Sequence, residues 1–176
     1  MTGHGHSHGG GGGHGHSHSG GCSGNCDDGF ELATDFMLHT KIQNLECLGE
    51  ESEGSGMSVF KDYEQRTDRS AFCQSDCDPE LLFNIKFNGD VKLKSIIVIG
   101  GDEDMEPLTL KMFKNKEGLS FDDVRDRPPE QVLELVTDPG GLVQYPLKTT
   151  KFNNVHHLSL FFPDSRGDDQ TRVLQF

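Results

Sequence analysis

Asp78-Pro79-Glu80-Leu81-Leu82-Phe83-Asn84-Ile85-Lys86-Phe87-Asn88-Gly89-Asp90-Val91-Lys92-Leu93-Lys94-Ser95-Ile96-Ile97-Val98-Ile99-Gly100 decides the fold. Leu81, Phe83, Ile85 and Phe87 alternate with Leu82, Asn84 and Lys86, which gives an extended segment one apolar face. Asn88-Gly89-Asp90 supplies residues that tolerate positive φ. Beyond it Val91, Leu93, Ile97 and Ile99 resume the period of two, with Lys92 and Lys94 facing away. The stretch predicts two half-buried strands joined as a hairpin.

The same punctuation recurs about every dozen residues, between short segments rich in Val, Ile, Leu and Phe. Leu108, Leu110 and Met112 predict a third strand and Lys114 to Gly118 a turn. Val132 to Val136 and Leu142 to Leu147 predict two weaker strands split by Asp138-Pro139-Gly140-Gly141. In Val155 to Phe162, Leu158, Leu160 and Phe162 share a face, and Thr171 to Phe176 begins another strand. The one helical pattern is Leu32 to Leu45, with Thr34 and Asp35 as N-cap residues. An all-β domain is the expectation.

Composition bounds the rest. Lys+Arg 16 against Asp+Glu 29 gives a formal net charge of -13, which repels a phosphate backbone and an anionic membrane surface. Neither nucleic acid nor membrane is expected as a partner, and no apolar run reaches the length of a membrane span. Twelve of 22 glycines and six of nine histidines precede Phe30, almost without apolar neighbours, so residues 1–29 are expected to be a disordered His/Gly-rich tail. Residues 30–176 are the size of one domain. Five cysteines in a chain this long point to reduced thiols in cytoplasm or nucleus rather than a disulfide framework.

Two His-x-His-x-His units carry the clearest metal chemistry. His4, His6 and His8 are repeated as His14, His16 and His18, followed by Cys22 and Cys26, and such imidazoles on a flexible leash suit Zn²⁺ or Cu²⁺. No other cofactor is expected. Cys73 and Cys77 read as a redox pair or half a metal site, or else as two inert thiols in a loop, and Cys47 as a small core hydrophobe. There is no C-x-x-C and no Trp, so thioredoxin-type dithiol chemistry is not expected. His156 and His157 fall on opposite faces of a strand, and Asp102 to Asp104 and Asp122-Asp123 read as solvated acidic loops. Lys86, Lys92 and Lys94 form a basic stripe on the hairpin, and Arg66 and Arg69 lie in a polar loop; these five are the candidate partner-binding residues.

Eight segments in order resemble the PITH domain, whose name abbreviates proteasome-interacting thioredoxin. They are Leu48-Gly49-Glu50-Glu51-Ser52, Val59-Phe60-Lys61, Ser75-Asp76 through Ile85, Val91 to Lys94, Phe113-Lys114-Asn115, Leu119 to Asp123, Phe152 to Val155, and Thr171-Arg172-Val173. The resemblance implies a jelly-roll β-sandwich of the galactose-binding-like kind. It also implies a non-enzymatic interaction domain that associates with the regulatory particle of the 26S proteasome; a monomer is expected if the chain is full length. The alternatives are a sandwich that binds a small ligand or a Zn/Cu ion, and a cytosolic or nuclear regulator acting indirectly on gene expression. The family pattern continues past Thr171-Arg172-Val173, so a truncated form is expected, with an unpaired edge and a patch of uncovered core.

Overall fold

The computed structural model describes residues 38–167 and 169–176, together with Thr2, Gly3 and Gly5. Among the described residues, ten strands form three antiparallel sheets. The largest contains β1 (Ile42–Leu48), β3 (Leu81–Val91), β9 (Val155–Phe162), β6 (Thr109–Lys114) and β7 (Gln131–Glu134), in that spatial order. A three-stranded sheet places β10 (Arg172–Gln175) between β2 (Cys73–Gln74) and β5 (Ile99–Gly100). The pair β4 (Ser95–Ile96) and β8 (Tyr145–Pro146) completes the set. Among the described residues no helix is long and apolar enough to cross a membrane.

β3 is the centre of the molecule, and it is not half of a hairpin. It pairs with β1 on one side and β9 on the other, with Leu81 opposite Phe162 and Lys86 opposite His157. The next pair is Val91 with Val155, so Asn88-Gly89-Asp90 bulges out, exposed, within one long strand. None of the three takes a positive φ. A turn signal inside a strand whose two edges are already paired is absorbed as a bulge. The following residues leave for the other sheets, where Ile96 pairs with Tyr145 and Ile99 with Gln175.

Period-two alternation also understates the burial of β3. Leu81, Phe83 and Ile85 face the main core with Leu110, Met112, Leu158, Leu160 and Phe162. Leu82, on the opposite face, is equally buried, in a second cluster with Phe113, Leu119, Val124 and Phe161. A four-residue helix, α1 (Ser55–Ser58), follows β1, and a second short helix over Phe121–Asp126, α2, closes that cluster. α2 (Phe121–Asp126) starts from a capping box: the Asp123 amide donates to Ser120 Oγ and the Ser120 amide to Asp123 Oδ2. The pattern Ser-x-x-Asp is present in the sequence, where this segment reads only as an acidic loop.

Two other expectations change. The helical pattern of Leu32 to Leu45 becomes, from Leu38 on, a 3-10 turn followed by β1; the rest of that stretch lies outside the described residues. The tertiary pairing of β1 with β3 outweighs a weak helical period. β10 is flanked by β2 and β5 rather than left as an unpaired edge. Phe176 beside it packs on Phe83, Phe162 and Phe60, with ring centroids 5.0, 5.7 and 5.1 Å away. Strands at 109–114 and 155–162 and turns at 114–118 and 138–141 lie where the sequence puts them.

Two-faced burial of β3 makes a direct prediction. Leu82→Ala removes a side chain that the hairpin reading would leave in solvent. It is expected to cost about 2–5 kcal/mol, as for other buried leucines, read as a lower urea midpoint.

Candidate functional site

Two places gather chemically capable side chains. The first lies between sheet edges, where Cys47 on β1 meets Cys73 on β2, with Sγ atoms 3.7 Å apart. Cys73 is fully buried and Cys47 half-buried, so the partner of Cys73 is Cys47 rather than the exposed Cys77. Glu50 completes the group, its Oε2 3.9 Å from Cys73 Sγ. Its carboxylate accepts the Gly54 and Gly56 amides, both at 2.7 Å, and the Ser55 hydroxyl at 2.8 Å, which pins α1 against the thiols. Gly56 leaves no room for a side chain, since a Cβ there would stand 2.6 Å from Cys47 Cβ.

The electrostatics of the pair are lopsided. Hydrogen bonding with Cys73 and burial push the Cys47 thiol up, and the Glu50 charge adds to this. The same contact holds Cys73 below the usual thiol range against its own burial, with help from Ser55. Cys47, Glu50 and Cys73 are the group of potential ligand atoms found among the described residues. Glu50 is nevertheless already an acceptor for three donors.

The second place is a groove of about 220 Å³ on the outer face of the five-stranded sheet, beyond the end of α2. Asn44, Glu46, Asn84, Lys86 and His157 form its floor and Lys116-Glu117-Gly118 its wall. The wall is fixed. Asn115, at φ 53°, accepts the His156 amide through Oδ1 and donates to Asn154 O, and Gly118 turns the chain at φ 59°. Asn84 donates to Leu119 O and accepts from Ser159 Oγ, both at 2.8 Å, so its buried amide is satisfied while it joins loop to sheet.

Lys86 Nζ and His157 Nε2 both approach Glu117 Oε1, at 3.8 and 3.9 Å, beyond hydrogen-bond range. His157 Nε2 is enclosed and has no hydrogen-bond partner. Lys86 and His157 thus stand on either side of the Glu117 carboxylate without a direct hydrogen bond to it. The volume falls below the roughly 300–1,000 Å³ of drug-sized pockets, so it fits one polar side chain or one small hydroxylated unit.

The five basic residues expected to bind a partner lie on β3 and in loops on either side of it. With no hairpin, Lys86 lies on the central sheet while Lys92 and Lys94 are exposed beyond the bulge, and the stripe dissolves. Arg66 is committed to the fold: it donates to Tyr63 O and Gly140 O and stacks 4.0 Å over the Tyr63 ring. Arg69 pairs with Asp102 at 3.0 Å, and Arg172 joins the same carboxylate at 3.6 Å. Lys116 and His157 were not singled out as partner residues, because lining a groove depends on a loop crossing a sheet. His4, His6, His8, His14, His16, His18, Cys22 and Cys26 lie outside the described residues.

Residues 28–176 match the PITH domain family. A PITH domain-containing protein of Drosophila melanogaster is 48% identical over 159 residues, covering 88% of this chain and 75% of the relative. PITH domain-containing protein 1 of Homo sapiens is 46% identical over 142 residues, covering 81% and 67%. Among solved structures, paired family 32 carbohydrate-binding modules of Clostridium perfringens ZmpB with GalNAc give a TM-score of 0.55 at 11% identity. That match covers 84% of this chain and 39% of theirs. The family 32 module of C. perfringens NanJ with galactose gives 0.51 at 9%, covering 79% and 93%. These likenesses establish the fold as a galactose-binding-like jelly-roll sandwich.

Glu50→Gln tests the electrostatics of the thiol pair. Removing a negative charge that opposes thiolate formation is expected to speed modification of the half-buried Cys47 by a thiol reagent at pH 7.5. The loss of charged acceptors at Gly54 and Gly56 is expected to cost about 1–3 kcal/mol.

Proposed function

This chain belongs to the PITH domain family, and we propose on that premise that it is a non-enzymatic interaction module presenting a rigid sandwich surface to a larger assembly. The assembly proposed is the regulatory particle of the 26S proteasome, met in cytoplasm and nucleus, as the family name suggests. The observation that carries the reading is how the reactive groups are used. Asp123 sits in the α2 capping box, Glu50 holds three donors, Asp138 accepts the Val143 amide at 2.6 Å, and buried Glu106 pairs with Arg166 and Thr137. Each holds a loop in place, as a preorganised binding surface requires.

Contact is placed at the groove. Lys86 and Lys116 supply donors in a chain of net charge -13, which suits an incoming carboxylate or carbonyl oxygen, and His157 lines the groove beside them. The same groove supports a second reading, a small hydroxylated ligand, because lysine donors and the Glu46 and Glu117 acceptors line one space of about 220 Å³. GalNAc and galactose, seen with the structural neighbours, are the natural probes.

Immobilised full-length chain is expected to recover regulatory-particle subunits from cytosol. Lys86→Glu with Lys116→Glu is expected to cut recovery about tenfold, or roughly 1.4 kcal/mol. Shifts of groove amides on titration with galactose or GalNAc, with no subunits recovered by wild-type protein, would instead establish the ligand reading.

A further inference from the structure

Cys47 and Cys73 stand 26 residues apart in sequence, on strands of different sheets, with their sulfurs in van der Waals contact. Around them the two sheets touch through few backbone bonds: Glu51 N to Gln74 O at 2.9 Å, Asp76 N to Gly49 O at 2.9 Å, and the bridge of Glu50 with Ser75. Glu50 is saturated by the Gly54 and Gly56 amides and the Ser55 hydroxyl, so a cation would find two sulfurs and a carboxylate already in use. The bare Cα of Gly56 lets the Cys47 side chain lie against it. A side chain there would displace the thiol.

We propose that Cys47 and Cys73 are a reversible redox pair, closing to a disulfide that fastens the edge of the five-stranded sheet to that of the three-stranded sheet. The oxidant is a peroxide. The Cys73 thiolate attacks a peroxide oxygen, breaking the O–O bond and releasing hydroxide, which takes up the thiol proton as water. Cys47 then attacks the resulting Cys73 sulfenic acid at sulfur and displaces a second water. Two thiols lose two electrons and two protons, and hydrogen peroxide becomes two waters. A dithiol reductant reverses the bond by exchange, entering at the half-buried Cys47 and leaving as its own disulfide. Bond formation brings the sulfurs from 3.7 Å to about 2.05 Å. The direction of attack agrees with the lopsided ionisation of the pair, Cys73 being held below the usual thiol range and Cys47 pushed above it.

The bond closes the whole β1 to β2 connection, including α1, into a loop. Constraint on the unfolded chain then raises the melting temperature by about 5–10 °C.

The experiment uses the folded full-length chain carrying Cys22→Ser, Cys26→Ser and Cys77→Ser, which leaves only the pair. After equimolar hydrogen peroxide and quenching by alkylation, the expected result is a mass loss of about 2 Da and a Cys47–Cys73 linked peptide under non-reducing conditions. Dithiothreitol should restore two alkylatable thiols and the original melting temperature. Recovery of Cys47 and Cys73 as separate alkylated or sulfinic residues overturns the proposal. So does protection of both thiols by equimolar Zn²⁺ in a protein that yields no cross-link. Because wild-type cysteines at 47 and 73 are mapped directly, the result does not depend on whether Cys73→Ser folds.

Discussion

The structure depends on one strand being buried on both faces. β3 holds β1 and β9 by backbone pairing, and Leu81, Phe83 and Ile85 fill the core between the sheets while Leu82 fills the cluster under α2. Each fully buried Leu, Ile or Phe contributes about 1.5–3 kcal/mol of transfer free energy, so β3 and the β9 strand paired with it carry much of the core. Asn84 is the exception that the arrangement accommodates. Its amide is buried yet satisfied on both sides, by Leu119 O and Ser159 Oγ, so it fixes the register of β3 against β9 without an orphaned polar group.

The groove is a consequence of where that cover ends. α2 and its capping box reach only as far as Leu82 and Phe161, Asn84 marks the boundary, and the next rung, Lys86 opposite His157, lies open beside the Lys116 to Gly118 turn. From Asn84 and Ser159 onward this sheet face is polar, with Asn44, Glu46, Lys86 and His157 following, so the apolar packing under α2 gives way to a polar surface. The turn cannot swing to cover it, since Asn115 is bonded to His156 and Asn154. The site is therefore formed before any ligand arrives.

Much of the fold was legible in the sequence. Leu158, Leu160 and Phe162, or Leu110 and Met112, declare a strand through side chains alone, because their partners matter little to the period. The hairpin was misread for the opposite reason: whether Asn88-Gly89-Asp90 turns the chain or bulges depends on β9 already lying beside β3. The helical pattern ahead of Ile42 failed likewise, since β1 owes its conformation to pairing with Phe87 through Leu82. The candidate site was less legible. Lys86 was named, but the loop that brings Lys116 and His157 beside it was not foreseen. The Cys47 to Cys73 contact crosses between sheets and leaves no local spacing to read. Ser120-x-x-Asp123 was a readable signal that acidity alone obscured.

That acidity has a structural share. Glu50, Glu106, Asp123 and Asp138 accept hydrogen bonds from loop amides or side chains, and Arg125 is held by Glu80 and Asp122, which keeps its guanidinium charged beyond its ordinary range. Asp123 is held below the usual carboxylate range by Ser120, so its contribution to folding is present above the ordinary Asp pKa and is lost as pH falls through the lowered one. A net charge of -13 thus overstates the field a partner meets at any one place. With a screening length of about 8 Å in physiological salt, distant carboxylates are muted at the groove. Lys86 and Lys116 then stand against Glu46 and Glu117, so the groove is locally close to charge-balanced within an acidic chain.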